Sequence, residues 1–221
     1  MSSNVEPVDE SGTPPVHGFL HRPEGRVSGG LVLTHGAGGN ANSLLLIALA
    51  NAFADSGWAV LRCDLPFRQK RPHGPPRGNA AEDQEGLRLA VEQLRKSVEG
   101  RIFLGGQSYG GRQATMLLAE EASVADGLLI LSYPLHPPGK PEQLRVAHLS
   151  KIQKPALFVS GSKDPFGSPD ELRAAIARIP AKASFLSIEN VGHDLGFGRA
   201  KKQQELPHRI VRAFQELVAE G

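Results

Sequence analysis

A three-layer α/β/α sandwich with a mostly parallel central sheet is predicted by three observations. Short β-rich runs alternate with helical stretches over most of the 221 residues, which calls for right-handed βαβ crossovers. Gly127–Tyr133 (GLLILSY) and Ala156–Ser160 (ALFVS) are apolar without alternation, as strands covered on both faces are. The 25 glycines and 17 prolines stand at element boundaries and not in tracts, so they mark tight turns.

Each element has its own signal. The polar, acidic segment 1–15 is open between a flexible tail and a first edge strand, and Val16–His21 is an antiparallel strand leading into the sheet. Gly30–Thr34 (GLVLT) is a strand, and Ala41–Asp55 is apolar all round, as a buried helix is. Trp58–Asp64 (WAVLRCD) is a strand. Ala80–Ser97 is an amphipathic helix with Leu87, Ala90, Val91 and Leu94 at i, i+3, i+4 and i+7. Arg101–Gly105 is a short strand and Gln113–Glu121 a helix. Pro169–Ile179 is a helix with proline near its first turn, Ser184–Ile188 a strand and Glu205–Ala219 an amphipathic closing helix. No repeat or linker divides the chain, so one domain is expected over 1–221.

Composition removes several function classes. Lys+Arg 25 against Asp+Glu 23 is too balanced for a dedicated nucleic-acid binder. A single cysteine, Cys63, excludes an intrachain disulfide and a cysteine-built zinc site, and suits a reducing compartment. The eight histidines form no HExxH motif, so no metal is expected. Apolar runs such as Leu44–Ala50 fall short of the roughly 18 residues of a membrane span, and 1–15 has no apolar targeting core. The expectation is a soluble, cytoplasmic monomer or homodimer with no membrane or nucleic-acid partner.

In such sheets ligands bind beyond the carboxyl ends of the strands. There Gly106-Gln107-Ser108-Tyr109-Gly110 forms G-x-S-x-G between a strand and a helix. Small neighbours let strand and helix approach while the turn lifts the Ser108 hydroxyl clear of the sheet. The Tyr109 N–H, at the helix start, faces a developing oxyanion. A phosphate loop is disfavoured because no Lys-Ser/Thr follows. A serine nucleophile needs a base, and the base an orienting acid, in the order Ser, acid, His for this topology. Asp164 in GSKDP and His193 in VGHD each follow a strand, in that order.

Each residue also has an ordinary structural reading: a solvated serine in a Gly-rich turn, a turn-forming Asp164 before Pro165, a loop or capping His193. Their joint placement favours the triad. Asp194 and Glu189 compete as orienter; Asp164 is preferred because it reaches the imidazole from a separate loop. The second oxyanion donor falls in His35–Asn40, with Ala37 favoured over Gly38. His35 is assigned a structural hydrogen bond instead of a base role. Cys63, inside an apolar strand, is a core residue and not a rival nucleophile.

HGAGG at His35–Gly39, GGQSYGG at Gly105–Gly111, GSKDPFG at Gly161–Gly167 and GHDL at Gly192–Leu195 together resemble the α/β-hydrolase superfamily. More narrowly the chain resembles the small, lid-less dienelactone-hydrolase-like branch, with a serine where dienelactone hydrolases carry cysteine. YPLHPPG and FVSGSKD are similar to the Tex-type and KANSL-type group, whose members also serve as complex subunits. The resemblance and the residues imply a cofactor-free serine hydrolase of small ester or thioester substrates, working through an acyl-enzyme. The alternative is an inactive interaction module. The short gap from Tyr133 to Ala156 leaves no room for a cap domain. An open site is expected, with Gly38, Phe67, Arg71, Tyr109, Leu135, Phe166 and Phe197 as candidate walls. Pro66–Gly78 carries Arg68, Lys70, Arg71 and Arg77 without an acid, and Arg199, Lys201 and Lys202 follow the His193 loop. A positive rim for anionic substrates and a solvated Pro-rich loop are the two readings.

Overall fold

Alternating side chains on each strand send apolar groups to both faces of one sheet, and helices cover both. The computed structural model describes residues 4–77, 80–198 and 204–219. The strands are β1 (Asn4–Glu10), β2 (Val16–Arg22), β3 (Gly29–Thr34), β4 (Trp58–Cys63), β5 (Ile102–Gln107), β6 (Leu128–Leu131), β7 (Ala156–Gly161) and β8 (Ala183–Ile188). Their order is β1-β2-β4-β3-β5-β6-β7-β8. β2 pairs antiparallel with β1 and β4, and every other pairing is parallel.

On one face Leu31, Leu33, Trp58, Val60, Phe103, Leu129, Leu131, Leu157 and Val159 meet α1 (Leu44–Asp55) and α6 (Leu206–Ala219). Phe214 and Phe53 of those helices pack edge-on against each other and against Trp58, with ring centroids 5.6–5.9 Å apart. On the other face Val32, Ala59, Leu61, Leu104, Ile130 and Phe158 meet α3 (Ala80–Arg95), α4 (Tyr109–Glu120) and α5 (Pro169–Ile176). Each fully buried Leu or Phe contributes about 1.5–3 kcal/mol, so this two-sided burial holds the three layers.

The expected architecture is the observed one, with instructive differences at boundaries. The 1–15 ambiguity resolves to an exposed edge strand in register with β2, Asn4 opposite Arg22. α1 begins at Leu44, because the Ala41 N–H is committed to Asp64 Oδ1 at 2.7 Å and its carbonyl to Arg62. α4 begins at Tyr109 and not at Gln113. Pro66–Gly78 does not start as a loop: Pro66–Lys70 forms a short helix, α2, with proline in its first turn. Between β6 and β7 the chain forms only a 3₁₀ turn at Leu149–Lys151, so no cap covers the carboxyl ends of the strands there. No helix of the described residues is long and apolar enough to cross a membrane.

Candidate active site

Ser108 is held on the sharp turn between β5 and α4 at φ 51°, ψ −116°, a region that costs a non-glycine residue on the order of 1–3 kcal/mol. Its N–H donates to Leu131 O at 2.8 Å, which pins the turn to β6. The flanking glycines are steric necessities. A Cβ on Gly110 would stand 2.4 Å from His35 O, and one on Gly106 would stand 2.9 Å from the Gly110 carbonyl carbon.

The loops after β7 and β8 deliver two further groups to Ser108. His193 Nε2 lies 2.8 Å from Ser108 Oγ, and His193 Nδ1 lies 2.8 Å from Asp164 Oδ2 and 3.0 Å from Oδ1. The carboxylate can only accept, so Nδ1 carries the proton and Nε2 is free to accept from the serine. Asp164 is buried and takes two more hydrogen bonds, from Ser160 Oγ at 3.1 Å and Phe166 N–H at 2.9 Å. The Phe166 ring stacks on the imidazole at 4.3 Å between centroids. The competing acids stand apart: exposed Asp194 accepts from Gly196 N–H in its own loop, and exposed Glu189 from Ser187.

The β3–α1 loop also passes beside the serine. A Cβ on Gly36 would be 3.3 Å from Ser108 Cβ, so this backbone abuts Ser108. Two side chains set its peptide planes. His35 Nε2 accepts from Leu65 N–H at 3.1 Å, and its Nδ1–H donates to Gly36 O at 2.8 Å. Burial lowers the His35 pKa and keeps the ring neutral, as that bonding requires. Gly39 N–H also reaches Gly36 O, at 3.1 Å. In a trans peptide the N–H points opposite the carbonyl, so the Ala37 N–H is turned away from His35. It has no protein acceptor among the described residues. Arg68 Nη2 takes Ala37 O at 2.7 Å and so fixes the next peptide.

Arg68 corrects the sequence reading of a solvated or rim residue. Its side chain is buried and donates to Gly39 O at 2.8 Å, Arg71 O at 3.1 Å and Gly74 O at 3.1 Å as well. Lys70 is paired with Glu82. Arg77 is exposed, and Arg71 is half-buried, its Nη1 without a partner among the described residues. Arg199, Lys201 and Lys202 lie outside the described residues.

The candidate walls divide in the same way. Gly38 is exposed with open space around it, and Phe166 flanks the imidazole. Leu135 is fully buried beneath Gly167 and belongs to the core. Phe67 is also buried, edge-on to His35 and to Tyr109 at 5.6 Å each, so it supports the site from below. Phe197 packs against the α1/α6 core. Tyr109 turns its hydroxyl to Asp83 Oδ2 at 2.7 Å, while Asp83 Oδ1 accepts the Phe67 N–H at 3.0 Å. Burial first, then this contact, raises the phenol's pKa, and burial raises that of Asp83. Cys63 is core, its thiol pushed up to about 12 by burial.

Residues 28–219 match a family model described as an alpha/beta hydrolase domain. The chain belongs to the alpha/beta hydrolase family. Among solved structures it is similar to dienelactone hydrolase from Anabaena variabilis, at 18% identity and TM-score 0.76 over 99% of this chain and 98% of that one. Est1E from Butyrivibrio proteoclasticus shares 17% identity and a TM-score of 0.74, covering 99% of this chain and all of its own. XC6422 from Xanthomonas campestris, described as an a/b serine hydrolase without lid, shares 18% identity and a TM-score of 0.71 over 100% and 96%. These likenesses show the same alpha/beta hydrolase fold. Sequence reasoning missed Arg68, Ser160 and Asp83 as supports of the site. Arg68 stood out only as a charge, and Ser160 and Asp83 carried no motif.

Proposed function

We propose that the protein is a serine hydrolase that cleaves carboxylic ester or thioester bonds of small substrates. The observation that carries this reading is the unbroken line Ser108 Oγ–His193 Nε2 and His193 Nδ1–Asp164, 2.8 Å at each step, on a strained turn. Ser108 Oγ attacks the carbonyl carbon as His193 Nε2 takes its proton. Asp164 holds the imidazole's orientation and stabilises the imidazolium. The carbonyl oxygen, now an oxyanion, accepts from the Tyr109 N–H, one of the helix-start donors without an intrahelical acceptor, and from the Ala37 N–H. His193 returns the proton to the leaving alcohol or thiol, and the acyl group remains on Ser108. Water, activated by the same imidazole, then attacks the acyl-enzyme and releases the acid. The absence of a cap between β6 and β7 suits small substrates that enter directly from solvent.

A fluorophosphonate probe tests the reading. Wild-type protein should be labelled, and Ser108→Ala and His193→Ala should not. A folded wild type that resists labelling and turns over no member of an ester and thioester panel overturns it. Product analysis with added alcohols then measures transfer to acceptors other than water.

A further inference from the structure

The arginines around the site fall into two kinds. Arg68 spends its guanidinium on four backbone carbonyls and is structural. Arg112 is the opposite. It lies in the first turn of α4, its own N–H donating to Ser108 O at 2.9 Å. Its guanidinium makes no hydrogen bond among the described residues, and its Nε is buried without a partner.

A second arginine, Arg145 on the loop after β6, is tied to the same turn of α4 by one relay of contacts. Thr115 Oγ1, which donates to Arg112 O at 2.7 Å, lies 2.9 Å from His148 Nε2. His148 Nε2 lies 3.5 Å from the Tyr133 hydroxyl, and that hydroxyl donates to Arg145 O at 2.6 Å. Among the described residues Arg145 has one side-chain bond, from Nη1 to Pro134 O at 3.0 Å. The charge of Arg112 reaches Tyr109, Tyr133, Arg145 and His148. Burial first, and Arg112 second, lower the pKa of Arg145, and no carboxylate among the described residues offsets them. Neither arginine enters an ion pair among the described residues. The same loop touches the cover of the imidazole, because His136 N–H donates to Phe166 O at 3.0 Å.

Two half-buried like charges with no counter-charge disfavour each other, and an anion between them removes that cost. We propose that Arg112 and Arg145 form an anion subsite beside Ser108, and that the acyl group cleaved there carries a carboxylate or phosphate. The assignment of the cleaved acyl group rests on Ser108 being the nucleophile; the subsite itself does not. It also moves anion recognition from the 66–78 segment, where Arg68 is internal and Lys70 paired, to the α4 side of the site.

Two measurements test this separately. The first compares kcat/KM for mono-4-nitrophenyl adipate and 4-nitrophenyl butyrate at low salt. Arg112→Gln and Arg145→Gln should each cut the anionic-to-neutral ratio about 10- to 100-fold, the worth of a charge-assisted hydrogen bond, and Arg112→Lys should keep part of it. The second is calorimetric titration of inorganic phosphate and of adipate into Ser108→Ala protein, with and without the arginine substitutions, which tells a carboxylate site from a phosphate site. Binding lost with Arg112 supports the subsite even if no ester is hydrolysed; in that case the hydrolase reading alone fails. Equal binding of both anions with and without the arginines, or an ester ratio unmoved by all three substitutions, overturns the subsite.

Discussion

The loops on either side of Ser108 are fixed in opposite ways. The loop after β7 holds Asp164 with its own near neighbours, Ser160 four residues before and Phe166 two residues after. The loop after β3 is held from far along the chain. Leu65 N–H meets His35, Asp64 meets the Ala41 N–H, Arg62 meets the Ala41 carbonyl, and Arg68 meets Ala37 and Gly39. The acid loop is therefore a local device. The loop after β3 takes its shape from β4 and α2, and damage to that neighbouring segment should reach the proposed chemistry without touching Ser108, His193 or Asp164.

The largest effect belongs to the local device. Asp164→Asn can offer its amide N–H where the carboxylate accepted, which favours the wrong imidazole tautomer. We expect kcat on 4-nitrophenyl butyrate to fall by about 10⁴-fold, as loss of a triad acid does elsewhere, with circular dichroism unchanged. A loss under tenfold would remove Asp164 from the orienting role.

Arg68→Met probes the remote device. It leaves Ala37 O and Gly39 O without their donor and frees the peptide plane that follows Ala37. The expected cost is about 100-fold in kcat, that of one oxyanion donor, with KM little changed and Tm lowered. Arg68→Lys should recover part of the rate, since an ammonium can reach some of the four carbonyls but lacks the planar fork. If Tm falls while kcat stays at the wild-type value, Arg68 is a structural clamp only. The contrast between the loops would then be one of stability, not of catalysis.

This difference in reach also explains what the sequence disclosed. The doubly covered sheet was legible because fully apolar strands and amphipathic helices alternate, and the serine turn because Gly106 and Gly110 flank Ser108 at contact distance. Asp164 and His193 were legible because each follows a strand within a few residues. The burial of Arg68 was not. Its donors meet Ala37 and Gly39 some thirty residues earlier in the chain, a distance local pattern does not span. Phe67 and Leu135 were misread for the same reason. A loop-borne apolar residue looks alike in sequence whether it faces substrate or, as these do, sits under it in the core.

A smaller effect sharpens the acid-loop side. Ser160→Ala removes one of the donors to the buried Asp164 carboxylate and leaves Phe166 N–H and His193 in place. A loss of about tenfold or less in kcat is expected, because the remaining bonds still orient the acid. A loss rivalling that of Asp164→Asn would mean that the local device hangs on Ser160 alone.

The smallest effect is one of stability, and it separates the two sides by pH. Beside the loop after β3, His21 Nε2 accepts from Arg62 Nε at 2.8 Å, and Arg62 in turn holds Ala41 O. Burial, and then the charge of Arg62, lower the His21 pKa from 6.5 to about 4. Between those values the unfolded chain binds a proton that the folded chain refuses. The contribution of a neutral His21 is thus fully present above pH 6.5 and is lost as pH falls toward 4. Chemical denaturation at pH 7.5 and pH 4.5 should show a larger acid-induced drop for wild type than for His21→Gln, whose amide oxygen can still accept from Arg62 but does not titrate. His148, lowered to about 4 by its own burial and by Arg112, lies on the α4 side, and its substitution should shrink the drop by its own share. If only the His148 substitution shrinks the drop, the acid sensitivity belongs to the α4 side and not to the loop after β3.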